Sequence, residues 1–311
     1  MTKKTVNHQV KTIVVLGISG MLGHKVFEVL SRNKNYNVWG TVTRLDKIAE
    51  ILPANLGKKV IPGVFADKIE TYRKIIQKKK PDVVVNCIGI IKQKNNGADL
   101  LNLITVNAQF PHLLAQICTE NSAKLITVST DCVFDGQKGS AYLQDELPTC
   151  HDAYGMSKYL GEVNYDQHLT LRISLIGHEL FTNVSLLDWF LSVKENSVNG
   201  FKKAVFSGFT NLEFAKLLEE KIIPARDLHG LYHFSVNPIN KYDLITKIAA
   251  IYHKNIKIIA DDKVDINRAL DSTPLRNIIN YQPPSWEQLI QEMYQDFLTS
   301  PFYLNRNKNY D

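Results

Sequence analysis

The chain has 311 residues, 44% of them hydrophobic and 22% charged, with a formal net charge of +6. That is enough apolar material for one large core and a smaller lobe, and no apolar run approaches the ~20 residues a membrane helix needs. The lysines are spread along the chain, and the one dense run, Lys78-Lys79-Lys80, stands where a helix C-terminus favours cations. Nucleic acid and membrane are therefore excluded as partners, and a small anionic ligand suits the basic balance.

The first residues lead directly into a strand, without the small-residue cleavage site of an export signal. Cys87, Cys118, Cys132 and Cys150 show no Cys-x-x-Cys spacing. Neither a zinc site nor a disulfide framework is expected, no metal is assigned, and a reducing cytoplasm is the expected compartment.

Strand signals fall at 12–16, 37–43, 59–61, 82–87, 124–129, 170–174 and 231–234, with helical patterns between most of them. That alternation predicts an α/β fold, a Rossmann-like doubly wound parallel sheet. The first signal, Thr12-Ile13-Val14-Val15-Leu16, is the all-apolar run that a strand buried on both faces requires. Gly17-Ile18-Ser19-Gly20-Met21-Leu22-Gly23 follows it, and then Val26, Phe27, Val29 and Leu30 recur at helical spacing.

Strand, glycine turn and helix together make a dinucleotide site. The first glycine permits the turn, the second admits the pyrophosphate, and the third lets helix and strand pack, with free helix N–H groups facing the anion. Gly17, Ser19, Gly20, Met21 and Leu22 are the expected contacts, joined by Cys87 and Gly89 after the fourth strand. The second strand ends Thr43-Arg44 with no acid until Asp46, so a 2′-phosphate on Arg44 is expected and NADPH is preferred, NADH remaining open.

Tyr154 and Lys158 stand four apart on one helix face, 24 residues after Thr130. An ammonium there would lower the phenol pKa and make a proton donor for a carbonyl. These residues, with Asn86-Cys87-Ile88-Gly89, Ser129-Thr130-Asp131-Cys132 and Leu171-Arg172-Ile173-Ser174, resemble the extended short-chain dehydrogenase/reductase superfamily. Within it the chain is similar to the dTDP-4-dehydrorhamnose reductase family of nucleotide-sugar reductases.

The resemblance implies NADPH-dependent reduction of the C4 ketone of a nucleotide-diphosphate 4-keto-6-deoxy sugar, in surface-polysaccharide or deoxysugar biosynthesis. It implies Thr130, Tyr154 and Lys158 as catalytic residues, and Asp131, Cys132, Leu175 and His178 beside the sugar. Asn107 would be structural, and Val64-Phe65 would replace the Asp-Leu pair that often meets the adenine. Residues 1–176, with 224–256 returning to them, would form the dinucleotide domain, and 177–223 with 257–311 the substrate lobe. A homodimer stays open.

Where the family's reductases carry Tyr and Trp, this chain has Cys132 and Leu175. Where some members carry a glutamate linked to a metal-bridged dimer, it has Lys25. Two alternatives follow. GDP-fucose synthases, in the same superfamily, pair a Cys two residues after the catalytic Ser with a later His, so Cys132 and His178 could epimerise carbons beside the ketone before its reduction. A non-catalytic dinucleotide-binding regulatory subunit is the other.

Overall fold

The computed structural model describes residues 10–91 and 99–304, so the reading of residues 1–8 lies outside the described residues. One parallel sheet has seven strands: β1 (Lys11–Leu16), β2 (Tyr36–Thr41), β3 (Val60–Ile61), β4 (Val83–Asn86), β5 (Lys124–Thr130), β6 (Leu169–Ile173) and a seventh, Gly230–His233. Their spatial order is Gly230–His233, β6, β5, β4, β1, β2, β3. These are the seven strands that the sequence predicts, with ends shifted by one or two residues. The largest functional consequence of those shifts is at β5, where Thr130 is still in the sheet, paired with Ile173.

Alternation explains why β1 is apolar throughout. Ile13 and Val15 join a core with Val26, Phe27 and Leu30 of the first helix, α1 (Met21–Arg32). Val14 and Leu16 join a second core with Tyr72, Phe110 and Leu114 on the opposite face. Strand order reverses between β1 and β4, so the chains leaving these neighbours diverge and open a crevice at the carboxyl edge.

The smaller lobe has more regular structure than the sequence shows. Ala204–Phe206 pairs with Ile239–Asn240 and Ile266–Asn267, and Ser197–Phe201 pairs with Lys257–Asp261. The sequence assigns 224–256 as a whole to the dinucleotide domain, whereas the structure divides it. Gly230–His233 extends the large sheet, while the helix Lys241–Ile251 packs on the small strands and on the C-terminal helix Trp286–Thr299.

That C-terminal helix is also tied to α1. Lys25 is fully buried, with Nζ 2.5 Å from Glu28 Oε2 and 2.5 Å from Asp296 Oδ2. Arg32 pairs with the other oxygen of Glu28 at 2.5 Å, so two cations balance the two carboxylates. Among the described residues no helix is long and apolar enough to cross a membrane.

Candidate active site

The glycine turn sits at the switch point. Gly17 has φ +78°, and a Cβ there would lie 2.9 Å from the Ile88 side chain in the loop after β4. A Cβ on Gly23 would lie 2.2 Å from the Gly17 carbonyl oxygen, so the third glycine lets α1 press against the turn. Gly20 differs. It is exposed, and a Cβ there would meet only the Gly17 carbonyl oxygen, at 3.5 Å. Protein packing does not require a glycine at 20, whereas a group bound over the turn would. Gly20 also caps α1 without offering a side-chain acceptor to its first-turn N–H groups, which suits an anion. The residues present therefore fit a dinucleotide.

Around the crevice, Ser19 and Met21 are partly exposed, while the Leu22 side chain belongs to the core and can offer only its backbone. Cys87 donates its N–H to the Leu16 carbonyl at 3.2 Å, and burial pushes its thiol up to about 12. Arg44 stands exposed beyond β2, and Phe65 is exposed beside buried Val64.

The helix Ala153–Leu160 starts where the Asp152 carboxylate accepts the Gly155 N–H at 3.0 Å. It packs very closely. A Cβ on Gly155 would lie 2.4 Å from the Cys132 carbonyl oxygen, and one on Gly161 1.9 Å from that of Asn107. Tyr154 and Lys158 are thereby fixed against the end of β5. The Lys158 ammonium donates to the Val128 carbonyl at 2.6 Å, and a Cβ on Gly89 would come 3.8 Å from it, so it borders the loop after β4. Burial draws its pKa down to about 8, and Glu162 opposes that shift. Asn107 clamps the same loop: its side chain accepts from Ile90 N–H at 2.9 Å and donates to the Ile90 carbonyl at 3.0 Å.

The expectation that Lys158 lowers the Tyr154 pKa is corrected. Burial, with Cys132 next, raises the phenol, and the Thr130 hydroxyl within hydrogen-bonding reach only opposes the rise. The ammonium gives one of its three N–H groups to Val128 and does not figure among the causes of the phenol's shift. Tyr154 accordingly keeps its proton in this state, the form a donor must start from. Thr130 ends β5 and accepts the Cys132 N–H at 3.1 Å, so its hydroxyl also caps the turn that follows.

The epimerising arrangement needs a thiolate and an imidazole at one ketone. Burial, reinforced by Asp131, holds the Cys132 thiol at about 12. His178 is buried, with Nδ1 2.7 Å from Asp188 and Nε2 2.9 Å from the Tyr252 hydroxyl, its ring stacked on Phe297. A ring held at both nitrogens braces the small lobe, and this is the physical reason it fits the role of acid poorly. Leu175 lies in a two-residue strand, paired with Phe209.

Sequence reasoning missed Lys241 and Arg268. Buried Asp131 is raised by desolvation and lowered by both of these cations. The Lys241 ammonium sits 3.8 Å over the Phe206 ring, and burial draws it down to about 8. Arg268 donates from Nε to the Phe134 carbonyl at 2.8 Å. Only the cap residue Asn240 marks the helix that carries Lys241, and no local signal marks Arg268.

A seven-stranded parallel sheet of this order, with a glycine turn at its switch point and a Tyr-x-x-x-Lys helix beside β5, defines the extended short-chain dehydrogenase/reductase class. The sequence profile of the RmlD substrate binding domain matches residues 11–191, and the chain belongs to that family. It is 24% identical to a dTDP-4-dehydrorhamnose reductase of Aggregatibacter actinomycetemcomitans over 90% of this chain and 97% of that protein. Its fold is similar to the dTDP-4-dehydrorhamnose reductase of Bacillus anthracis solved in complex with NADP, with TM-score 0.76 and 18% identity over 92% of this chain and 99% of the other. It is also similar to the Bordetella bronchiseptica enzyme WbmH solved with NAD+, with TM-score 0.73 and 18% identity, covering 94% and 99%.

Proposed function

We propose that the protein reduces the C4 ketone of a nucleotide-linked 4-keto-6-deoxy sugar with NADPH, as a dTDP-4-dehydrorhamnose reductase, in a cytoplasmic deoxysugar pathway. The observation that carries this reading is the convergence of Tyr154 and Thr130 at the end of β5, with Lys158 on the same helix bordering the loop after β4, at the crevice that the glycine turn lines. Gly17, Ser19, Gly20, Met21, Cys87, Gly89 and Arg44 would hold the dinucleotide, which supplies the hydride when bound. Tyr154 holds the proton destined for the carbonyl oxygen, and Thr130 orients that carbonyl. Lys158 presents an ammonium to the nicotinamide ribose.

Lys241 and Arg268 bring two cations to one buried carboxylate, a balance that suits an anionic nucleotide sugar. With Cys132 and Leu175 in place of larger aromatics, the sugar pocket gains room. The four cysteines are free thiols, in keeping with a reducing compartment. The test is oxidation of NADPH by dTDP-4-dehydrorhamnose, followed by mass spectrometry of the product. In heavy water that product should carry no enzyme-dependent deuterium on carbon. Deuterium at C3 or C5 would revive epimerisation, and no turnover with dTDP-, UDP-, CDP- or GDP-linked keto sugars would sink the reading.

A further inference from the structure

His24 lies on the first turn of α1 and is fully buried. Its Nδ1 is 2.8 Å from the Gly20 carbonyl oxygen, and its Nε2 is 2.5 Å from the hydroxyl of Tyr303, 279 residues further along the chain. A carbonyl only accepts, so Nδ1 carries the ring proton and Nε2 accepts from the phenol. The chain of donation has one direction, from Tyr303 O–H to Nε2 and from Nδ1–H to Gly20. The same carbonyl accepts the backbone N–H of His24 at 3.1 Å, so both of its lone pairs are used.

This matters because of what shares a plane with that carbonyl. In a trans peptide the Gly20 C=O and the Met21 N–H are coplanar and point in opposite directions. With the carbonyl clamped along the helix by two donors, the Met21 N–H is aimed out of the N-terminus of α1. Gly20 has no side chain with which to fix its own turn. We propose that His24 and Tyr303 are positioning residues for the dinucleotide: they fix the Gly20–Met21 peptide so that the first N–H groups of α1 meet the pyrophosphate already oriented.

Tyr303 is itself held in place. Its ring stands edge-on to His24 at 5.4 Å, lies 4.7 Å from the Lys25 ammonium and packs 5.4 Å from Phe297. The turn after the C-terminal helix thus belongs to the cofactor site, although it contributes nothing that would touch the cofactor. Orientation fixed before binding does not have to be acquired during it, and the gain appears as affinity.

The inference rests on the reading that the glycine turn binds a dinucleotide. Its test is Tyr303→Phe, which keeps the ring and removes only the O–H. The dissociation constants of NADPH and NADH, measured by titration, should both rise roughly 3- to 10-fold, the worth of one neutral hydrogen bond, with the loss in affinity and not in kcat. In the cofactor-free protein, amide hydrogen exchange at His24, whose N–H donates to the Gly20 carbonyl, should quicken while the helix Trp286–Thr299 keeps its wild-type rates. Unchanged affinity for both dinucleotides would overturn the proposal, and so would quickened exchange throughout the C-terminal helix, which would report general loosening. Should the wild-type protein bind neither dinucleotide, the cofactor reading falls, and exchange at the His24 amide still decides whether the clamp exists.

Discussion

The two ends of the crevice are built from different materials. At the glycine turn the working groups are backbone N–H groups and missing Cβ atoms, supported from behind by Lys25, His24 and the C-terminal helix. At the end proposed for the ketone they are side chains: Thr130, Tyr154 and Lys158, with Asp131, Lys241 and Arg268 beside them. Backbone groups do not titrate and are oriented by packing, so damage to the first end should appear as lost affinity or stability. Buried side chains have displaced pKa values and specific protons, so damage to the second should appear in rate and pH dependence.

The largest expected effect breaks the support of the first end. Lys25→Met removes the cation between Glu28 and Asp296: Asp296 loses its ion-pair partner, while Glu28 keeps Arg32. Stability in denaturant titration should fall by about 3–5 kcal/mol. A loss under about 1 kcal/mol, the range of exposed pairs, would show that Asp296 finds water or a proton readily.

At the second end, Tyr154→Phe should lower kcat by at least ~10²-fold, since it deletes the proton while the glycine turn stays intact. NADPH affinity should hardly move. If affinity fell as far as kcat, the division between the two ends would be wrong.

Arg44 sharpens the description of the first end, where it is the one side-chain charge assigned to the cofactor. Its charge-assisted contact with a 2′-phosphate is worth roughly 1.5–3 kcal/mol, so Arg44→Ala should weaken NADPH about 10- to 100-fold and spare NADH. Equal losses would assign it to the surface. This pattern also separates Arg44 from Tyr303, whose loss is to be shared by both dinucleotides.

The smallest effect concerns pH. Burial lowers the free-enzyme Lys158 to about 8, so its ammonium is intact below that value and is lost as pH rises through it. If only the charged form holds the ribose, NADPH affinity should be level up to pH 7 and about tenfold weaker at pH 9. Lys158→Met should bind more weakly at every pH and flatten this profile. A wild-type profile flat to pH 9 would mean that the ammonium does not bear on the cofactor.

Much of this site is visible in the linear chain because its signals are local. Gly17, Gly20 and Gly23 follow a strand buried on both faces, and a helix pattern begins within them. Tyr154 and Lys158 are four apart, a spacing that a helix turns into adjacency. The small lobe is less visible for a physical reason. Strands such as Ile239–Asn240 and Ile266–Asn267 have two residues each, too few for a period-2 pattern, and they exist only through pairing with Ala204–Phe206.

The sequence by itself therefore determined the sheet, the glycine turn and the residues that meet along one helix, since each depends on neighbours a few positions away. Tertiary structure alone decided that the pKa values of Tyr154 and Cys132 move upward, because burial and the charges around a group set the direction. It decided that His178 braces the small lobe, through partners 10 and 74 residues away. It also brought Lys241 and Arg268 to Asp131 and Tyr303 to His24. Side-chain contacts over such separations arise only when the whole core has closed, and no local spacing records them.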